Sequence, residues 1–444
     1  MVSPDQTSPD LGCWVCPEPG KAEGEWLVAV EVVPPEGSEE SERPPLDLVL
    51  VVDRSSSMVG PRIAAAVEAA RQICLRLNHR DRVGVVAFDT SVQTVRKPDA
   101  PTKDTAAEVV LKLTELGVGY GTNISAGWKR AAELISRGGI PGASKTVLLL
   151  TDGLPSRGLR RASELEELTR AGTDQGIVTN TVGIGDRFDE RVLSRMAVAG
   201  GGAYRFAERD EDTLAVADEE VEGLKALAAE SAVLHVGFAR AVKRFEVLHE
   251  LSCRTEGDGL AVELGRLFVG RPRCVLIRLV GDEGVRHLGA VGLSCVGGTG
   301  AWTEAGPTRI LLPAPGQEAS DAEKVGASYV PLRVARWQQK IWECGRDASM
   351  SRLSEVMVDA QEELKALPED LMASDEAKEA VDRFESSCDR ITAALRSEGS
   401  GEAEKRRQTE AAFKSLTEES TQTMLGVTRA GVGHSRRRRG WGKR

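Results

Sequence analysis

The stretch LDLVLVVDRSSSM, residues 46–58, decides how the rest of the chain folds. Its first seven residues are nearly continuous apolar sequence, the pattern of a strand covered on both faces. The run stops at Asp53, and Asp53-Arg54-Ser55-Ser56-Ser57-Met58 then offers one carboxylate and two hydroxyls at alternate positions. A strand buried on both sides implies helices on both sides, and the neighbouring sequence supplies them.

A helix is predicted from about 61 to 78, where Ile63, Val67, Ala70, Cys74 and Leu77 recur at spacings of three and four. RVGVVAF (82–88), KTVLLL (145–150), IVTNTVGI (177–184) and AYRF (203–206) read as further strands. Helical patterns lie near 104–116, 123–137, 161–175, 189–198 and 211–228. This alternation predicts an α/β domain over 46–228, a doubly wound and mostly parallel sheet.

Outside that span the pattern changes. After 228 come short strands with alternating apolar residues, such as AVLHVGFAR (232–240) and CVLIRLV (274–280), so 229–320 reads as an antiparallel β-sandwich. Residues 24–45 hold one strand, WLVAVEVV, and a polar linker, and the strand is assigned to the same sandwich. Residues 321–426 read as a helical bundle or hairpin, with Trp337 and Trp342 in its core. Residues 1–23 and the basic tail 427–444 are expected to be disordered.

In a doubly wound sheet, ligands bind beyond the carboxyl ends of the strands. Three loops converge there. The first carries Asp53, Ser55 and Ser57. The second follows KTVLLL as Thr151-Asp152-Gly153, and the glycine-rich loop 117–121 brings up Thr122. Five hard oxygen donors without a soft ligand suit Mg²⁺ or Mn²⁺.

These three loops resemble the metal-contacting loops of von Willebrand factor A (VWA) domains: DxSxS at the first strand end, a Gly-Thr loop, and TDG after a later strand. GIGDRFDERVLSRMAVAGGGAYRF (183–206) is similar to that family's last strand–helix–strand, and the likeness covers about 46–228. Ser56 stands where glycine is common. The resemblance implies an intact metal-ion-dependent adhesion site, with Ser55, Ser57 and Thr122 coordinating directly and Asp53 and Asp152 directly or through water. It also implies a protein-binding adaptor rather than an enzyme, in which Mg²⁺ receives an Asp or Glu of a partner. By the same analogy the protein is of the bacterial intracellular type, and AAA+ ATPases or signalling and conflict-system components are its class of partner.

Other readings are weaker. DxSxS alone is compatible with a helix N-cap. Phosphatases of the haloacid dehalogenase type need a second acid where Ser55 stands. No phosphate loop, dinucleotide fingerprint or GxSxG elbow occurs, and the five histidines lie outside the metal loops. Self-association through the helical region is the alternative function, and a metal-dependent hydrolase a more distant one.

Composition bounds the rest. Of 444 residues, 41% are hydrophobic and 28% charged, the profile of a folded soluble protein. No apolar run approaches the roughly 18 residues of a membrane span, and the first residues do not read as a secretory signal, so a cytoplasmic location is expected. The net charge of −10 includes six positive charges within 434–444, so the remainder carries −16. With a single aromatic in that tail, specific nucleic-acid binding is not expected. Cys13 and Cys16 form the one CxxC pair, without a second pair to complete a zinc site.

Overall fold

The computed structural model describes residues 9–34, 44–152, 154–185, 190–207, 212–282, 284–296, 304–313, 317–347, 350–396, 420 and 423–424. In chain order the elements begin with β1 (Asp10–Pro17), β2 (Glu25–Val33), β3 (Leu46–Asp53), α1 (Pro61–Arg76), β4 (Arg82–Phe88) and β5 (Val92–Asp99). They continue with α2 (Thr105–Leu116), α3 (Ile124–Ser136), β6 (Ser144–Thr151), α4 (Ala162–Thr173), β7 (Ile177–Ile184), α5 (Glu190–Ala199), β8 (Gly201–Ala207) and α6 (Asp212–Lys225). The remaining strands are β9 (Leu227–Phe238), β10 (Val242–Val247), β11 (Cys253–Glu256), β12 (Gly259–Phe268), β13 (Arg273–Gly281), β14 (His287–Val296) and β15 (Glu304–Leu311). Three helices follow: α7 (Glu318–Asp347), α8 (Met350–Lys365) and α9 (Asp375–Arg396).

The chain divides into two units, one built on residues 43–226 and the other on 1–42 with 227–405. In the first, six strands run in the order β5-β4-β3-β6-β7-β8, all parallel except β5 at the edge. β3 is buried along its whole length. Leu48, Leu50 and Val52 face a core shared with α1, α2 and α6, while Val49 and Val51 face one shared with α3, α4 and α5. Period-two alternation therefore sends successive β3 side chains into two different cores. Burying each such side chain contributes about 1.5–3 kcal/mol, so this strand anchors the sheet. From β3 the chain winds first to β4 on one side and later to β6, β7 and β8 on the other. The resulting crevice lies outside the ends of β3 and β6.

β5 was not expected from the sequence. VQTVRKPD alternates only weakly and ends in charges and a proline, the composition of a protected edge strand.

The second unit is a two-sheet sandwich with helices against it. One sheet runs β1-β2-β13-β10 and the other β11-β12-β9-β14-β15. β2 pairs antiparallel with β13, Val30 opposite Val275. Val28, Val30 and Val32 face the inter-sheet core with Leu234 and Val262. Leu27 and Ala29 point the other way, onto Val325, Tyr329 and Leu332 of α7. The expected helical bundle is thus corrected in part: α7 is also the cover of a sheet.

The N-terminal expectation needs correction as well. Within 1–23, residues 10–17 form β1, whose register on β2 runs from Asp10 opposite Val33 to Pro17 opposite Trp26. A partner strand satisfies backbone groups that this short Gly- and Pro-containing segment cannot satisfy alone. Residues 1–8 and the tail 427–444 lie outside the described residues. Trp337 is only half-buried, with Lys340 Nζ 4.1 Å from its ring centroid; the side chain of Trp342 is outside the description.

Candidate metal centre

Asp53 closes β3, and Asp152 follows the last residue of β6, so the two carboxylates stand at adjacent strand ends. Both are fully buried. Asp53 Oδ1 accepts the Ser55 backbone N–H at 2.8 Å, which curls the chain back over the strand end. The turn Ser56–Met58 follows as one short 3₁₀ helix, and Met58 is buried beneath it. Ser55 occupies the N-cap position of that turn but makes no side-chain capping bond there. Its hydroxyl instead lies 3.0 Å from Ser57 Oγ, and Ser57 Oγ donates to Asp152 Oδ1 at 2.8 Å. The structure therefore joins Asp53, Ser55, Ser57 and Asp152 into one cluster.

Thr122 is tied through its backbone to the loop that follows Asp152. Its N–H donates to Ser156 Oγ at 2.9 Å, and its carbonyl accepts from Ser156 N and Arg157 N. Among the described residues its hydroxyl makes no hydrogen bond to the other four. Asn123, next in sequence, caps α3 by accepting from Ala126 N at 3.1 Å.

The loops are braced by residues the sequence did not single out. Arg54, between the candidate ligands, is 9% exposed and turns away from them. Its guanidinium pairs with Asp89 at 2.9 Å and donates to the Leu116 carbonyl at 3.0 Å. Gly119 N donates to the Arg54 carbonyl at 2.7 Å. A Cβ on Gly119 would stand 1.7 Å from Asp89 Oδ2, so only glycine permits this approach. Arg54 thus braces the loop after β3 against the loop before α3. Tyr120 is 80% exposed, and Arg157 is exposed too.

Two more residues complete the electrostatics. Thr151 Oγ1 donates to Asp53 Oδ2 at 2.5 Å, and Arg62 Nη1 lies 2.8 Å from Asp152 Oδ2. Thr151 belongs to the TDG string and was legible there as a hydroxyl beside a carboxylate. Arg62 had no signal, because nothing in the sequence aims the first turn of α1 at the end of β6. Burial pushes the Asp53 carboxyl up to about 7, against the lowering effect of Thr151 and Ser55; the Asp152 charge pushes the same way as burial. A carboxylate held so far from water calls for a nearby cation.

The donor set fits a small hard cation. The oxygens are hydroxyl and carboxylate only, and the separations of 3.0 and 2.8 Å match the edge of an octahedron with metal–oxygen distances of about 2.1 Å. The fit is made by four side chains, those of Asp53, Ser55, Ser57 and Asp152.

Two other constellations lie in the second unit. Cys13 and Cys16 lie on β1, with Cys13 against the sandwich core and Cys16 on the opposite, helix-covered face. Burial raises both thiols to about 12, and side chains on opposite faces cannot share one ion. On the outer face of the five-stranded sheet, His235 links Ser294 Oγ and Glu256 Oε2, each at 2.8 Å. This is a Ser-His-Glu line that the dispersed histidines concealed. It draws on β11, β9 and β14; the histidine and serine strands β9 and β14 are each paired on both sides, so their amides serve the ladder rather than an oxyanion.

Comparison with known proteins accords with this architecture. The sequence model for the von Willebrand factor type A domain matches residues 47–250. A von Willebrand factor type A protein from Catenulispora acidiphila superposes over 93% of this chain and 97% of its own, with a TM-score of 0.65 and 14% identity. The ArnB paralog VWA2 from Sulfolobus acidocaldarius does so over 94% and 98%, with a TM-score of 0.59 and 16% identity. Among curated sequences, an uncharacterized Synechocystis protein is 26% identical over 251 residues, 54% of this chain and 58% of that protein. The pig inter-alpha-trypsin inhibitor heavy chain H4 is 29% identical over 174 residues, 38% of this chain and 19% of its own. The chain thus spans less than two thirds of these curated relatives. Sheet order and family match agree over the six-stranded unit, beyond which the match runs on into β9 and β10: this chain carries a von Willebrand factor type A domain.

Proposed function

We propose that this protein is a metal-dependent protein-binding adaptor. In this reading Ser55, Ser57 and Thr122 hold Mg²⁺ or Mn²⁺ directly, and Asp53 and Asp152 hold it directly or through water. The observation that carries the reading is the convergence of two buried carboxylates and two hydroxyls at the switch point, with oxygen separations of 2.8–3.0 Å. VWA domains commonly mediate protein–protein contacts, which favours the same conclusion.

Each residue has a definable part. Asp53 supplies charge from a position that Thr151 and the Ser55 amide fix. Ser55 and Ser57 supply neutral oxygens, so the site carries few anions and leaves a bound cation short of neutralisation. Arg62 takes up part of the Asp152 charge, which extends the same effect. When bound, the metal would supply a Lewis-acidic position for a carboxylate oxygen of an Asp or Glu on the partner. The buried surroundings strengthen such a charged contact.

The adaptor reading assigns no catalytic residue. A cytoplasmic setting is part of it, favoured by the scattered spacing of the eight cysteines along the chain. Calorimetric titration of Mg²⁺ and Mn²⁺ into the metal-stripped full chain tests the reading. Saturable binding is expected, weakened about 10–100-fold by Asp53→Ala or Thr122→Ala with folding retained by circular dichroism. Wild-type metal affinity in both variants would reject the assigned ligands.

A further inference from the structure

Among the described residues nine large hydrophobic side chains are exposed, and four of them stand in the loops that carry the candidate ligands. Val59 (63% exposed) lies two residues after Ser57, and Leu154 (57%) two after Asp152. Tyr120 (80%) lies two before Thr122, and Val118 (37%) shares its loop. The other five are scattered over α1, α2, β10, β15 and α8, each on a different element. Isolated exposed apolar residues are ordinary, whereas a group of them at one edge marks a contact surface.

The charges on the same edge point to the chemistry of what docks. The loop carboxylates Asp53, Asp89 and Asp152 are all buried. Arg157 is exposed and Arg62 partly so. In a chain of net charge −10, the described residues of these three loops therefore show water cationic and apolar groups.

The apolar side chains also sit on braced backbone. The Tyr120 carbonyl accepts Thr90 N at 3.0 Å, and a Cβ on Gly121 would meet Thr90 Cγ2 at 2.9 Å. Arg54 ties the start of that loop to the loop after β3. Side chains presented by a fixed loop lose less freedom on docking, and an exposed tyrosine is a frequent energetic anchor.

From these observations we infer that the metal loops form a composite docking surface for one kind of partner: a protein segment whose Asp or Glu is flanked on both sides by apolar side chains. The carboxylate would meet the cation, and Val59, Val118, Tyr120 and Leu154 would take the flanking side chains. This rests on the metal-dependent reading above and adds to it the residues beside the acid.

Two short fluorescent peptides of equal charge test it on the full chain, one reading Leu-Asp-Phe and the other Ser-Asp-Thr at their centres. Each is titrated with Mg²⁺ and with EDTA. The apolar-flanked peptide is expected to bind at least about tenfold more tightly in Mg²⁺. That preference should vanish in a Tyr120→Ser, Leu154→Ser double variant, whose thermal midpoint and Mg²⁺ titration stay those of the wild type. Equal affinities, an unchanged preference in the variant, or binding of neither peptide at millimolar concentration overturns the inference and leaves metal binding standing. Absence of Mg²⁺ uptake in the calorimeter, together with EDTA-insensitive peptide binding, instead sinks the underlying metal reading and this inference with it.

Discussion

The contact between Arg62 and Asp152 is the residue-scale feature with the most direct consequence. A guanidinium 2.8 Å from Oδ2 competes electrostatically with any cation that Asp152 helps to hold. It therefore sets metal affinity without being a ligand. Arg62→Gln should tighten Mg²⁺ binding about tenfold, roughly 1.4 kcal/mol, because the competing charge is gone and a polar side chain remains. Calorimetry on the wild type and the variant checks this, and looser binding in the variant would contradict it. At this scale the sequence named Asp53, Ser55, Ser57 and Asp152, since all four lie at or just past apolar strands whose ends can be read. It did not name Arg62 or the Asp89 partner of Arg54, because those contacts join elements whose spatial order is set only by the sheet.

At the scale of elements, the loops after β3 and β4 and before α3 act as one braced unit. Arg54 and Asp89 form an ion pair that is almost wholly shielded, 11% and 7% exposed at the side chains. Asp89 also accepts Ser91 N and Ser91 Oγ, which shapes its own turn. Removing the arginine leaves a buried carboxylate without its cation, the costly way to break such a pair. Arg54→Ala should destabilise the protein by roughly 3–5 kcal/mol in chemical denaturation, and it should weaken Mg²⁺ binding although Arg54 donates nothing to the metal. Gly119→Ala should act alike, since its Cβ would fall on Asp89. An Arg54→Ala variant with unchanged stability and metal affinity would mean that the three loops hold their places independently.

For the whole molecule, pH exposes the second unit. His249 is buried, and its Nδ1 accepts the Leu276 N–H at 3.1 Å. Burial first, then the nearby Arg273 and Arg336 charges, lower its pKa from 6.5 to about 3. The folded protein thus keeps this histidine neutral over a range in which the unfolded chain takes up a proton. Stability from this group is full above 6.5 and falls on acidification toward about 3. The slope is about 1.4 kcal/mol per pH unit. His249→Asn should flatten that part of the stability–pH curve in urea titrations; a slope unchanged by the substitution would exclude this histidine as its source. Another consequence at this scale concerns self-association. The apolar residues Val325, Tyr329 and Leu332 of α7 are spent on the four-stranded sheet, so that face of α7 is not available to such an assembly.

The doubly wound class was determined by sequence alone. Seven almost uninterrupted apolar residues in β3 can be satisfied only with helices on both faces, and the alternating pattern downstream supplies those helices. The edge strands β1 and β5 were not determined so. Their residues lack a strong period, and they become strands because β2 and β4 offer unpaired backbone groups. The candidate centre divides in the same way. Which oxygens arrive at the strand ends follows from local pattern, since a strand end is a local fact. How their charge is balanced, by Thr151 on Asp53, Arg62 on Asp152 and Arg54 on Asp89, was decided by tertiary structure. Those pairs join residues 35 to 98 positions apart, and only the folded sheet brings them together.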